Sequence, residues 1–206
     1  MKLVIIGYSG AGKTTLAKSL GEALHIKVFH IDSALYDKNG GRREAAEVMS
    51  IAESCIDTAQ ETSWIIDGYE RNCVKETWLA DAEQIVFLRV GKWTCFWRVF
   101  LRDAKQVVPW AIKCASRYFR HAPSVQQTAN QERETSTVKP PSFISRISAN
   151  CWQLRDIITK THGPEGEAYY MRFGQRYPEK FIVLRTKKEI HQFKNALLRE
   201  AQKERP

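Results

Sequence analysis

The segment GYSGAGKT, residues 7–14, is the most informative part of this sequence about its fold. It fits the pattern G-x-x-x-x-G-K-[ST] through its outer glycines, Lys13 and Thr14, and it has an additional glycine at Gly10. Glycines reach backbone angles that other residues avoid, so successive N–H groups can turn inward and close on phosphate oxygens. Residues 7–14 are therefore predicted to form a phosphate-binding loop, here called the phosphate loop.

Each polar group of the phosphate loop has an expected task. Lys13 reaches the β and γ phosphates of a nucleoside triphosphate, and the Thr14 hydroxyl binds Mg2+. The helix after the loop directs its positive N-terminal end at the same anion. We therefore expect ATP with Mg2+ as the donor, and the predicted donor-binding residues of the loop are Gly7, Ser9, Gly10, Ala11, Gly12, Lys13, Thr14 and Thr15.

The segments on both sides of the loop agree with this prediction. KLVII before it is typical of a buried strand, and KTTLAKSLGEAL after it has Leu16, Leu20 and Leu24 at helical spacing. An accidental glycine-rich turn would not need these flanks. The dinucleotide fingerprint G-x-G-x-x-G is absent, which argues against a dinucleotide site.

Four more apolar segments alternate with predicted helices. They are KVFHID, SWIID, QIVFLRV and EKFIVLR, the last followed by a closing helix over residues 186–204. Nearly all-apolar strands separated by helices indicate a parallel sheet buried on both faces. We expect a three-layer α/β fold with a five-stranded parallel sheet, in which Asp32 and Asp67 end the second and third strands beside the phosphate loop.

The 206 residues suit one domain with two elaborations. Residues 33–62 are polar and are expected to contain a helix whose inner face is formed by Ala46, Met49 and Cys55 or Ile56. Residues 92–178 are expected to form a helical insertion. Within it, residues 121–142 have few apolar side chains and are expected to be mobile.

Most of the net charge of +9 lies in this insertion, because residues 92–160 contain 12 Lys or Arg and 4 Asp or Glu. A helix predicted over residues 92–105 has one aromatic and one basic side. We call Trp93, Phe96, Trp97 and Phe100 the aromatic stripe and expect it to pack on the core. The basic side, with Arg98, Arg102 and Lys105, is expected to face a bound triphosphate, and it could also attract nucleic acid.

Cysteine usage and hydropathy indicate the compartment. The five cysteines are scattered and form no C-x-x-C pair, which favours buried thiols in a reducing environment. We expect no leader, because a strand-like segment follows the first methionine, and no membrane span, because the sequence has no run of about 18 apolar residues. We expect a soluble, cytoplasmic protein without a membrane partner, and the sequence carries no signal for an oligomeric state.

Four segments together resemble one family of kinases. GYSGAGKT, HID, IIDGYER and WRVFLR are similar to the adenylate-kinase-like P-loop kinases, and most closely to the bacterial DNA-topology-modulation or FlaR-type proteins. The resemblance covers residues 1–105 and 180–195. It implies transfer of a phosphoryl group from ATP to a small acceptor, with residues 33–62 as the acceptor-binding insert and residues 92–178 on the side of the lid.

The resemblance also implies roles for the acceptor segment. DGYER is similar to the family's DGFPR, with Tyr69 in place of phenylalanine and Glu70 in place of proline. Arg71 would then hold the phosphate of the acceptor, and Asp67 would support Mg2+ through water.

Two further segments correspond to the lid and to the base site. Arg98 and Arg102 are similar to the lid arginines that surround the transferred phosphoryl group. LRTKKEI resembles the turn whose backbone meets the adenine, which would bring Thr186 and Lys187 close to the base.

Asp32 separates two classes of acceptor. For a hydroxyl acceptor, as in kinases related to shikimate and gluconate kinases, this carboxylate can orient the hydroxyl or take its proton. For a nucleoside monophosphate no base is needed, and Arg71 becomes the main acceptor ligand. Asp32 could instead cap the next helix, and His30 is expected to pack or hydrogen-bond at the end of the sheet.

Two other classes of function stay open. A nucleotide switch or NTP-hydrolysing regulator would need a water-positioning residue and switch segments, which we do not identify in the sequence. A nucleic-acid-binding protein would use the basic segment and would bind with steep salt dependence without ATP. The phosphate loop favours the kinase, because nucleic-acid binding alone has no need of it.

Overall fold

A computed structural model describes residues 1–37, 41–56, 63–69, 74–102, 104–105 and 164–203. Its strands are β1 (Lys2–Gly7), β2 (Val28–His30), β3 (Trp64–Asp67), β4 (Gln84–Leu88) and β5 (Phe181–Leu184). All neighbouring strands run parallel, in the order β2-β3-β1-β4-β5. The predicted five-stranded parallel sheet is confirmed.

Helices flank this sheet, as predicted for a three-layer α/β fold. The first four are α1 (Lys13–Leu24), α2 (Ile31–Ala34), α3 (Ala45–Ile56) and α4 (Glu76–Asp81). Helix α5 begins at residue 92, and its described part covers 92–102 and 104–105. The last two are α6 (Pro164–Arg176) and α7 (Lys187–Lys203). Helix α1 contacts β1, β2, β3 and α7, whereas α6 contacts β5.

The middle of the sheet forms the hydrophobic core. Every residue of β3 is buried, and in β1 and β4 only the first residue of the strand is not. Strands buried on both faces are apolar throughout rather than alternating, which is the pattern from which they were predicted.

Strand register brings the chemically important ends to one edge of the sheet. Gly7, the last residue of β1, pairs with Leu88 of β4. On the other side of β1, Ile5 pairs with Asp67 of β3, and Asp67 pairs with His30 of β2. The phosphate loop therefore leaves the sheet between the end of β3 and the end of β4.

The predicted end of the second strand is wrong by two residues. Strand β2 ends at His30, and Asp32 lies in the first turn of α2. Ile31 is buried. The Leu35 N–H donates to the Ile31 carbonyl, and the Ser33 hydroxyl donates to the His30 carbonyl. These local bonds close a helical turn where the sequence suggested two more strand residues.

The inner face predicted for α3 is also largely wrong. The buried residues are Val48, Ala52 and Ile56, four apart along the helix. Ala46 is exposed, and Met49 is only partly buried. The helix contacts β2 and α2, and among the predicted residues only Ile56 is buried.

Helix α5 packs through a different side than predicted. Three residues of the aromatic stripe are exposed, Trp93 by 60%, Trp97 by 55% and Phe100 by 41%. The buried residues are Cys95 and Val99. The reason is the close approach of α5 to the phosphate loop, since a short side chain fits between the helix and the loop where an indole would not.

Some predictions fall on residues that the structure does not describe. They include Arg71 and the expected mobile segment 121–142. Within the described part, no helix is long and apolar enough to cross a membrane. Cys55 and Cys95, the two described cysteines, are free thiols.

Candidate functional site

The phosphate loop turns at three glycines with positive φ. The angles are +146° at Gly7, +78° at Gly10 and +102° at Gly12. Gly12 is the N-cap of α1 and has no side chain with which to cap the helix, and the first turn has no acidic residue. Because the first N–H groups of a helix have no acceptor within it, α1 presents an uncapped positive end to an anion.

Lys13 folds back over the loop that precedes it. Its Nζ donates to the Gly7 carbonyl at 3.0 Å and to the Tyr8 carbonyl at 3.1 Å. In the next two positions Thr14 and Thr15 are exposed at the first turn of α1. The ammonium group thus lies at the mouth of the loop, beside the uncapped helix end.

The remaining predicted loop residues lie on the same short stretch. Ala11 is buried, whereas Ser9 is only partly so. The Ala11 N–H donates to the Tyr8 carbonyl at 3.1 Å, which closes the turn. This turn determines the path of the loop backbone between β1 and α1.

Arg98 joins α5 to the phosphate loop. Its Nη1 donates to the Gly10 carbonyl at 3.2 Å and to the Ala11 carbonyl at 3.1 Å. A Cβ on Gly10 would lie 2.6 Å from the Cys95 carbonyl oxygen, so the helix backbone reaches the loop at a position that only glycine allows. Arg102, one turn further along α5, is exposed. The predicted lid arginine Arg98 therefore bonds directly to the loop.

Asp67 is the buried charged residue at this edge of the sheet. It is 4% exposed, and its Oδ2 lies 2.7 Å from Nδ1 of His30. Its Oδ1 is buried and has no hydrogen-bond partner among the residues that the structure describes. Buried polar atoms are nearly always paired, so this oxygen fits a ligand such as a water molecule bound to Mg2+. His30 hydrogen-bonds at the end of the sheet, as expected from the sequence.

The fit to Mg2+ rests on few protein ligands. Asp67 and the Thr14 hydroxyl are the predicted pair, and no group of three or more His, Cys, Asp or Glu side chains able to hold a metal occurs in the described residues. Mg2+ keeps several of its waters and is usually bound by one or two protein groups together with phosphate oxygens. A pair of oxygen ligands such as these fits Mg2+, and not an ion that needs an all-protein cage.

Asp32 lies beside Gly68, the residue that follows Asp67. It is exposed in the first turn of α2, and its Oδ1 is 3.6 Å from where a Cβ on Gly68 would lie. The residue in the N-cap position of α2 is His30. Asp32 is therefore not the N-cap of α2, which was the other role considered for it. Its carboxylate lies beside the end of β3, the strand that carries Asp67.

Thr186 and Lys187 form the start of α7. The Thr186 hydroxyl lies 3.0 Å from Glu189 Oε1 and accepts the Glu189 N–H at 3.1 Å, and Glu189 Oε2 accepts the Arg185 N–H at 2.7 Å. These bonds make a capping box and lower the pKa of Glu189, the Arg185 N–H being the larger cause. Lys187 is exposed. Because the Thr186 hydroxyl is already hydrogen-bonded in the N-terminal cap of α7, an adenine base would be contacted by the backbone.

Tyr170 of α6 is a site residue that the sequence reasoning missed. Its hydroxyl donates to the Gly7 carbonyl at 3.2 Å, and its ring stacks on Phe87 of β4 with centroids 5.0 Å apart. It also meets the ring of Tyr8, the second residue of the phosphate loop, whose burial raises the pKa of its phenol. The spacing of Tyr170, Phe173 and Tyr177 could have indicated an amphipathic helix, but nothing in it indicates contact with the loop.

Arg89 and Glu167 form an ion pair next to this contact. Arg89 follows the last residue of β4, and its Nη2 lies 2.8 Å from Glu167 Oε1 of α6. The bond to Glu167 is the main cause that raises the pKa of Arg89. Both side chains are more than a third exposed, so we regard the pair as orienting α6 rather than as a large source of stability.

No protein-family model matches the chain, and no curated protein sequence matches it. Among solved structures it is similar to the shikimate kinase of Bacteroides thetaiotaomicron, with 15% identity, a TM-score of 0.47 and 97% of each chain covered. The shikimate kinase of Acinetobacter baumannii in complex with shikimate is 12% identical, with a TM-score of 0.48, and 98% of this chain and 93% of that chain are covered. Deoxyadenosine kinase from M. mycoides with bound dATP is 15% identical, with a TM-score of 0.45 and coverages of 96% and 99%.

Proposed function

We propose that this protein is an ATP-dependent phosphotransferase that moves the γ-phosphoryl group of ATP to a small acceptor. The proposal rests on one observation, which is that positively and negatively charged side chains lie at the same edge of the sheet. Lys13 and Arg98 both bond to the phosphate loop, and the carboxylate of Asp67 ends the neighbouring strand. Phosphoryl transfer needs such alignment and charge neutralisation more than it needs covalent chemistry.

The donor would be held by the loop and the start of α1. The uncapped N-terminus of α1 and the positive φ values of the loop glycines support binding of a triphosphate. Lys13 and Arg98 would neutralise the charge on the transferring oxygens. Mg2+ would be held by Thr14 and, through water, by Asp67, and when bound it would supply positive charge to the phosphate oxygens.

The acceptor class depends on Asp32. Its exposed carboxylate beside Gly68 supports a hydroxyl acceptor, whose proton it could take or whose oxygen it could orient. A nucleoside monophosphate acceptor, the other class, would depend on Arg71. The resemblance to FlaR-type proteins is compatible with either class of acceptor and requires no direct contact with DNA.

A screen of ATP consumption tests the proposal and separates the acceptor classes. The wild-type protein with Mg2+ is offered nucleoside monophosphates and hydroxylated metabolites, and ADP formation is measured. With a hydroxyl acceptor, Asp32→Asn should lower kcat by about 100-fold or more, because a positioned base contributes that much. With a phosphate acceptor the same variant should lose much less. No ADP formation above the acceptor-free rate with any member of either class would contradict the proposal.

One observation favours a second candidate function, binding of single-stranded nucleic acid. The aromatic stripe is exposed at Trp93, Trp97 and Phe100, and the neighbouring Lys105 is exposed and basic. Bases stack on exposed aromatic rings, and lysines and arginines follow the phosphate backbone. The candidate predicts salt-dependent binding of an oligonucleotide that persists in Lys13→Ala and weakens in Trp97→Ala. Loss of binding in Lys13→Ala would assign it to the phosphate loop instead.

A further inference from the structure

The Gly7 carbonyl is the first acceptor of the phosphate loop, and two side chains donate to it. Lys13 Nζ lies 3.0 Å from this oxygen and the Tyr170 hydroxyl 3.2 Å from it. A backbone carbonyl has two lone pairs, so both bonds can form together. One donor belongs to the loop itself, and the other comes from α6, which is 163 residues away in the chain.

The two hydrogen-bond donors are expected to behave differently when a triphosphate binds. Lys13 is expected to turn toward the β and γ phosphates, which takes its ammonium group away from the Gly7 carbonyl. Gly7 is buried, and a buried carbonyl without a partner costs free energy comparable to a lost hydrogen bond. A second donor that stays in place removes this cost.

Tyr170 is held in place by contacts that do not involve Lys13. Its ring stacks on Phe87 and meets the edge of Tyr8 at 5.6 Å between centroids. Helix α6 is itself fixed against the sheet, because a Cβ on Gly174 would lie 2.6 Å from Cδ1 of Phe181. The hydroxyl of Tyr170 is thus presented to Gly7 by a rigid aromatic contact.

We propose that Tyr170 is a positioning residue for the donor nucleotide, which keeps the Gly7 carbonyl paired while Lys13 leaves it for the phosphates. This inference rests on the proposed function, since it requires that the loop binds a triphosphate. Tyr170 touches neither the donor nor the acceptor in this account. It acts by lowering the cost of releasing Lys13.

Titration calorimetry with a non-hydrolysable ATP analogue and Mg2+ tests this without knowledge of the acceptor. Tyr170→Phe keeps the ring and removes only the hydroxyl, and it should weaken binding about two- to tenfold, the range for one hydrogen bond. The matched control is Tyr177→Phe, which removes a hydroxyl that bonds to Glu76 at 2.7 Å, away from the loop. The control should bind as the wild type does.

The melting temperature is measured for each variant in parallel. A merely structural role would lower the melting temperature of Tyr170→Phe and leave its affinity at the wild-type value, which would overturn the inference. Equal losses of affinity in Tyr170→Phe and Tyr177→Phe would overturn it as well. If the wild-type protein itself did not bind the analogue, the proposed function would fail, and that result is distinct from the other two.

Discussion

Nδ1 of His30 lies 2.7 Å from Oδ2 of Asp67, and this bond joins the ends of β2 and β3 at the edge from which the phosphate loop leaves the sheet. Asp67 is almost completely buried, while the His30 side chain is 26% exposed. The imidazole therefore pairs one carboxylate oxygen and leaves the other, Oδ1, for a ligand. Because both oxygens belong to one planar carboxylate, the hydrogen bond to Oδ2 also fixes the position of Oδ1.

Replacing His30 tests this relationship. His30→Phe should lower the free energy of unfolding by about 1–3 kcal/mol, because it leaves a second oxygen of a buried carboxylate unpaired. His30→Asn is the matched control, since its amide nitrogen can donate from nearly the position of Nδ1, and it should lose less. Chemical denaturation of both variants measures the difference. Equal stabilities of the two variants would show that the hydrogen bond does not hold Asp67.

A single methyl group at Gly10 should disturb the contact between the loop and α5. In Gly10→Ala the new Cβ would lie 2.6 Å from the Cys95 carbonyl oxygen and 2.9 Å from Cγ2 of Val99, at a φ of +78°. We expect a loss of about 1–3 kcal/mol in unfolding free energy from this overpacking. Gly91→Ala is the control, because nothing lies within 4 Å of its Cβ position. A wild-type melting temperature for Gly10→Ala would mean that α5 does not pack as described.

The sheet could be predicted from the sequence because its strands are defined by local patterns. KLVII, SWIID and QIVFL are apolar except at their ends, and each forms a largely buried strand. The turn between β1 and α1 was equally predictable, since the structure has positive φ at the glycines where the sequence pattern requires it. In these segments the backbone conformation and the burial follow from the same few residues.

The predictions were wrong where tertiary contacts determine which face of a helix is buried. The sequence alone allowed more than one face. In α5 the large aromatic side chains suggested the buried side, yet the helix comes so close to Gly10 that only Cys95 and Val99 fit against the loop. The contact of Tyr170 with Gly7 joins residues from opposite ends of the chain. No local pattern records such a distant pairing.

Arg98 should matter far more for catalysis than its neighbours on α5. Arg98→Ala removes the guanidinium that bonds to the Gly10 and Ala11 carbonyls, and we expect kcat to fall by about 100-fold or more, as for other groups that stabilise developing charge. Lys105→Ala removes an exposed charge two turns further along and should change kcat little. Steady-state kinetics with the acceptor from the screen measures both. Similar rates for the two variants would assign Arg98 to the packing of α5 alone.

The buried thiol of Cys95 should make stability fall at alkaline pH. Burial raises its pKa from 9.0 to about 11. Below about pH 9 the thiol is protonated in both states, whereas between pH 9 and 11 only the unfolded chain loses the proton, so stability decreases as pH rises. We expect a decrease of about 1–3 kcal/mol across this window. Cys95→Ala should show a shallower decrease in denaturation experiments, and an unchanged slope would mean that the thiol is not protected.

A comparison of wild type with Lys13→Ala shows whether phosphoryl transfer from ATP depends on the phosphate loop. ADP formation is measured with Mg2+ and the acceptor that gives the highest wild-type rate. We expect Lys13→Ala to lose about 100-fold or more of the activity, because its ammonium group stabilises charge on the transferring oxygens. The circular dichroism spectrum should stay the same. Wild-type turnover in a folded Lys13→Ala protein would contradict the account.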